Sequence, residues 1–129
     1  MKVLYCSWYE NSQEDLENAL NKITDEVIVI EHKVREYLGI DESVRQEIIS
    51  IVENGIDMII SFDFFPALSQ ICESYNIKYV SWVYDWPNYT LFHKEAYNKC
   101  NRIFLFERDG VKLLSQYNIN NVYYSSLAV

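Results

Sequence analysis

The chain has 129 residues, half of them apolar, which suits one domain with its own core. A formal net charge of −8, with eleven Lys and Arg scattered along the sequence, argues against binding to a bare nucleic-acid backbone, which needs clustered cations. No apolar run has the length of a membrane span, no signal-peptide pattern leads the chain, and Cys6, Cys72 and Cys100 form no Cys-x-x-Cys pair. The expectation is a cytoplasmic protein with reduced, buried thiols and neither a disulfide framework nor a metal site.

In chain order, Lys2 to Cys6 reads as a short apolar strand. Ser12-Gln13-Glu14-Asp15 resembles a capping box, and Leu16, Ala19, Leu20 and Ile23 follow at helical spacing. Glu26 to Ile30 is a β-branched run and predicts a second strand, and Glu31 to Ile40 reads as loop. Asp41 opens a helix with Val44, Ile48, Ile49, Ile51 and Val52 on its apolar side, closed by a left-handed cap at Asn54-Gly55. Asp57 to Phe62 predicts a third strand. Pro66 suits the first turn of a helix burying Ala67, Leu68, Ile71, Cys72 and Tyr75. Lys78 to Tyr84 predicts strand four, Asn88 to Asn98 a loop with a short helix, and Arg102 to Phe106 strand five. A helix over Asp109 to Tyr117, capped by Asp109, and a strand over Asn121 to Tyr124 complete the series. Alternating strands and helices predict a single Rossmann-like domain over residues 1–129, a three-layer α/β/α fold with a mainly parallel sheet of about six strands.

In such sheets ligands bind beyond the carboxyl ends of the strands. Strand four runs into Tyr84-Asp85-Trp86-Pro87, a carboxylate between two aromatic rings. Rings stack on the C–H faces of a sugar and a carboxylate accepts from its hydroxyls; the simpler account makes Trp82 and Tyr84 core and Asp85 a turn cap. His93, downstream in the same connection, is a candidate base beside Asp85 or an ordinary solvated histidine. The first turn, Ser7-Trp8-Tyr9-Glu10-Asn11, has no glycine, which argues against a classical NAD or FAD site, and no cofactor is expected. Trp8 in that turn stacks on a ligand or packs on the neighbouring helix. Phe62, Phe64 and Phe65 crowd the third turn and line a groove or insert beneath the sheet edge. Arg108 after strand five is a candidate for hydroxyl or phosphate contact.

These strand ends resemble a known family. Tyr5-Cys6-Ser7-Trp8 with Glu10-Asn11-Ser12, Ser61 to Pro66, Tyr79 to Pro87, Tyr97 to Phe106, and Val122-Tyr123-Tyr124 with Leu127-Ala128-Val129 look like the N-terminal domain of CgeB-like (spore maturation protein) bacterial glycosyltransferases of the GT-B architecture. Trp82-Val83-Tyr84-Asp85-Trp86-Pro87 and Asn98-Lys99-Cys100-Asn101 carry most of the likeness. Tyr9 stands where that family commonly has Gly, and Trp86 where it has a small residue. The resemblance implies the acceptor-side half of a two-domain enzyme, with a nucleotide-sugar donor held by a second domain and a sugar or protein acceptor held here. Such a half would be silent alone, since transfer needs both substrates held together. In the combined reading Asp85 and His93 are the candidate catalytic groups, and Trp8, Tyr9, Phe64, Tyr84, Trp86 and Arg108 the candidate substrate-binding groups.

A second expectation, of a different class, is a stand-alone binding or interaction module whose aromatic turns form a protein interface, a homodimer through Phe64 and Phe65 included. Receiver-like and flavin-binding readings fit poorly. Glu10 stands without an acidic neighbour after strand one, and no Ser/Thr-rich phosphate loop follows that strand.

Overall fold

The computed structural model of the protein describes residues 1–31 and 40–126. The expected loop after Glu31 and the terminal Leu127-Ala128-Val129 lie outside the described residues.

Six strands form one all-parallel sheet: β1 (Lys2–Ser7), β2 (Glu26–Glu31), β3 (Met58–Phe62), β4 (Lys78–Val83), β5 (Asn101–Leu105) and β6 (Val122–Tyr124). Their spatial order is β2-β1-β3-β4-β5-β6. Among the described residues four helices connect them: α1 (Gln13–Ile23), α2 (Glu42–Glu53), α3 (Pro66–Tyr75) and α4 (Arg108–Gln116). The β4–β5 connection holds two 3₁₀ turns, Tyr89–Phe92 and Lys94–Tyr97, where the sequence predicts a loop with a short helix. The expected Rossmann-like α/β fold is thus observed. No described helix is long and apolar enough to cross a membrane.

The chain steps from β1 one way to β2 and then the other way to β3 through β6. Right-handed crossovers then put α1 on one face and α2, α3 and α4 on the other. The core divides accordingly. Ile48 and Val52 of α2, Leu68, Ile71 and Cys72 of α3, and Leu114 of α4 pack with Leu4, Cys6, Ile59, Tyr79, Val83, Ile103 and Leu105. On the opposite face Leu20 of α1 packs with Val3, Tyr5, Ile60 and Phe62.

Several local expectations change. Ser12 makes no side-chain cap bond. Only Leu20 of α1 is buried, and Ile23 is 76% exposed, because α1 meets the sheet through a single narrow stripe. Tyr75 is exposed too, its hydroxyl donating to Glu53 Oε1 at 2.8 Å across the α2–α3 surface. Glu107, not Asp109, caps α4, its carboxylate accepting from the N–H groups of Asp109 and Gly110 at 3.2 and 2.6 Å. The left-handed cap after α2 is present, with Gly55 at φ +104°.

A buried polar cluster explains the Asn98–Asn101 stretch. Asn101 is fully buried; its Oδ1 accepts from Ser69 Oγ at 2.6 Å and its Nδ2 donates to the Glu95 carbonyl at 2.8 Å. Asn98 Nδ2 donates to Ser69 Oγ at 3.1 Å. These bonds tie the β4–β5 connection to α3 and satisfy groups that would be costly to bury unpaired.

Candidate functional site

The strand order reverses between β1 and β3, so the crevice of an open α/β sheet opens there, at the strands' carboxyl ends. The turns after β1, β3 and β4 meet at this point.

The first turn is built around Glu10, which is 5% exposed. Its Oε2 accepts from the Trp8 N–H at 3.0 Å. Ser7 Oγ lies 3.1 Å from the same oxygen and 2.8 Å from Gln13 Oε1, and its one hydrogen serves either. Glu10 Oε1 is buried with no partner among the described residues. Burial raises the Glu10 carboxyl above the usual range; its own N–H and that of Trp8 pull the other way, and the Glu31 charge adds to the rise. Tightness here has a backbone consequence. Tyr9 takes φ +68°, a conformation that costs an L-residue about 1 kcal/mol, and its ring projects into solvent.

Asp63 stands in the third turn at φ +61° and is 1% exposed. Its N–H donates to the Trp82 carbonyl at 2.8 Å. Its own carbonyl accepts from Ser61 Oγ at 2.9 Å. The Tyr79 hydroxyl accepts from the Phe65 N–H at 3.1 Å and lies 2.6 Å from Ser61 Oγ, to which it must therefore donate. This chain of bonds fixes the turn from beneath. Asp63 Oδ1 nevertheless has no partner among the described residues. Burial first, then the charges of Asp85 and Glu10, push the Asp63 carboxyl up to about 7. Asp85 itself is exposed. Two carboxylates from the flanking sheet positions, buried Glu10 and exposed Asp85, thus act on the buried Asp63 carboxyl.

Aromatic rings frame them. Trp8 is half-buried and spans the β1–β3 gap, its Nε1 donating to the Phe62 carbonyl at 3.0 Å. Tyr84 sets its ring edge-on to Phe62, centroids 5.6 Å apart. Trp8, Tyr84 and Asp85 therefore belong with Glu10 and Asp63.

The other expected site residues lie elsewhere. Trp86, half-buried, packs against Phe92 at 6.2 Å and over Gly110 of α4. Arg108 is exposed, with its guanidinium 4.2 Å from the Tyr124 ring centre, a cation–π contact joining α4 to β6. His93 is half-buried and its Nδ1 accepts from the Glu95 N–H at 3.2 Å. Phe64 is fully buried, its ring 5.7 Å from that of Tyr79, and Phe62 and Phe65 are buried with it. The third turn thus buries all three of its Phe rings.

Glu10 and Asp63 are absent from the residues singled out by sequence. The signal for both was their position in the turns after β1 and β3, but its meaning depends on those strands being neighbours at the point of reversal. Among the described residues no three of His, Cys, Asp or Glu are placed to hold a metal ion. Cys6, Cys72 and Cys100 are free thiols, all buried. Burial pushes Cys6 and Cys100 up to about 12, and Cys72 upward as well, so none is poised as a nucleophile.

Comparison with protein-family models, with curated proteins and with solved structures finds no match.

Proposed function

We propose that the crevice at the β1/β3 reversal binds a hydroxyl-rich acceptor, and that the chain is the acceptor-side domain of a GT-B-like glycosyltransferase. One observation carries this reading: Glu10, Asp63 and Asp85 converge at the ligand edge of the sheet, two of them burying an oxygen that nothing in the described chain satisfies. Unsatisfied buried acceptors are rare in folded proteins, and at a functional edge they mark places where a ligand's donors belong. Trp8 and Tyr84 supply ring faces and edges beside them.

In this reading Asp85 touches the acceptor. The acceptor oxygen attacks the anomeric carbon of a nucleotide-sugar donor, the bond from that carbon to the donor phosphate breaks, and the nucleoside diphosphate leaves. The acceptor proton passes to Asp85. Asp63, beneath, is a positioning residue that sets the field around it. Donor binding belongs to a second domain, so the chain alone binds acceptor without turning over. Binding of the chain to a panel of mono- and disaccharides tests this. The expected outcome is saturable binding of at least one sugar, weakened about tenfold or more by Asp85→Asn, whose exposed side chain leaves the fold intact. Sugar binding equal in wild type and Asp85→Asn would remove Asp85 from the site.

A specific observation also favours the reading as a protein-interaction module. Strand register places Phe62, Trp82, Phe104 and Tyr123 side by side across β3 to β6 on the face that, among the described residues, carries only α1. Phe62 and Trp82 stack at 5.8 Å, and Phe104 and Tyr123 lie 5.7 Å apart. Trp82 and Phe104 are half-buried and Tyr123 is 44% exposed, so this row supports a protein partner laid on the open face. Phe64 and Phe65 lie inside the chain's own core and do not support the homodimer expected through them.

A further inference from the structure

On the α2/α3 side, a cleft of about 310 Å³ opens between the N-terminal halves of α2 and α3 and the β4–β5 connection. That volume is at the low end of small-ligand pockets. Arg45, His93 and Lys94 all line it.

The charges there run against the chain's composition. Nineteen acidic residues face eleven basic ones, so a surface cation has many carboxylates to choose from. Yet the ion pairs among the described residues are Met1–Asp25 and Lys2–Glu26, and neither Arg45 nor Lys94 takes part in one. Glu95 also lines the cleft; its carboxylate accepts from the neutral Asn98 side-chain amide and makes no ion pair with Arg45 or Lys94 among the described residues. Arg45 Nη1 reaches Gln70 Oε1 at 3.4 Å, a long bond to a neutral group, and no ion pair compensates its charge among the described residues. His93 accepts at Nδ1, so its ring proton sits on Nε2, a further donor. Pro66 begins α3, whose first turn carries no acidic residue and no side-chain cap, so the helix itself does not offset its positive end.

We propose that this cleft binds the phosphate group of a small phosphorylated ligand, with Arg45 and Lys94 as its counter-charges and His93 as a neutral donor. Phosphate fits best because a dianion with several acceptor oxygens uses two cations and a donor together. The proposal stands apart from sugar transfer at the β1/β3 crevice, since no residue is shared between the two sites.

Titration of the isotope-labelled 129-residue chain by NMR, at constant ionic strength, with inorganic phosphate and with glucose 6-phosphate, tests it. The expected result is saturable shifts at Arg45, Ala67, His93 and Lys94. Arg45→Gln and Lys94→Gln should each weaken binding about tenfold, while Lys99→Gln, a cation outside the cleft, and Asp85→Asn leave it unchanged. Non-saturable shifts, equal binding by Arg45→Gln and Lys94→Gln, or an equal loss in Lys99→Gln would overturn it. So would binding of glucuronate with no binding of phosphate.

Discussion

Asp63 joins a left-handed backbone to a buried carboxyl, and the two features have different tolerances. Asparagine adopts the same backbone readily and has the same shape, so Asp63→Asn removes the charge and little else. Because the folded carboxyl titrates near 7 against an ordinary value near 3.8, its contribution to stability is complete below about pH 4 and is lost as pH rises through about 7. Chemical denaturation across pH 4 to 8 should show wild type losing on the order of 2–4 kcal/mol relative to Asp63→Asn, with the variant the more stable at pH 8. Parallel curves for the two proteins would mean that Asp63 is not buried as a proton-binding group. Asp85 was legible in the sequence because Tyr84, Trp86 and Pro87 mark a strand end around it. Asp63 was not: a carboxylate among three Phe looks like a solvent-facing turn residue until the strand order is known.

Helix α4 shows how an element can depend on one missing side chain. A Cβ on Gly110 would lie 2.9 Å from Cδ2 and Cε2 of the Trp86 indole and 2.9 Å from Leu105 Cδ2. Alanine is favoured over glycine inside a helix by about 1 kcal/mol, so propensity alone predicts that Gly110→Ala stabilises. The overlap with a ring and a core methyl outweighs it, and the substitution should cost about 1–3 kcal/mol in thermal or denaturant unfolding. A rise in stability would show that Trp86 is free to move aside. The helix itself was readable from Val111, Leu113 and Leu114; its cap and its partner were not. Glu107 caps it only because β5 ends one residue earlier than its apolar run suggests, at Leu105 rather than Phe106. Trp86, expected at a ligand, packs on a glycine that the pattern marks only as a gap.

At the scale of the molecule, the parallel sheet was legible because the strands are short β-branched or aromatic runs, with periodic helices after β1, β2, β3 and β5. Which face each helix covers was not, since that depends on the single reversal after β1. The reversal creates both the acidic crevice and the open aromatic row, and the two support different partners. The three tryptophans separate them: Trp8 stands at the crevice, Trp82 in the open row, and Trp86 against α4. The most direct measurement follows the three indole N–H signals by NMR during titration with the sugars of the binding panel. Sugar binding at the crevice predicts a saturable shift of the Trp8 signal, with Trp82 unmoved and the Trp8 shift lost in Asp85→Asn. A Trp8 signal that no sugar moves, with Trp82 alone responding to protein concentration or to an added partner, would contradict the acceptor-site reading.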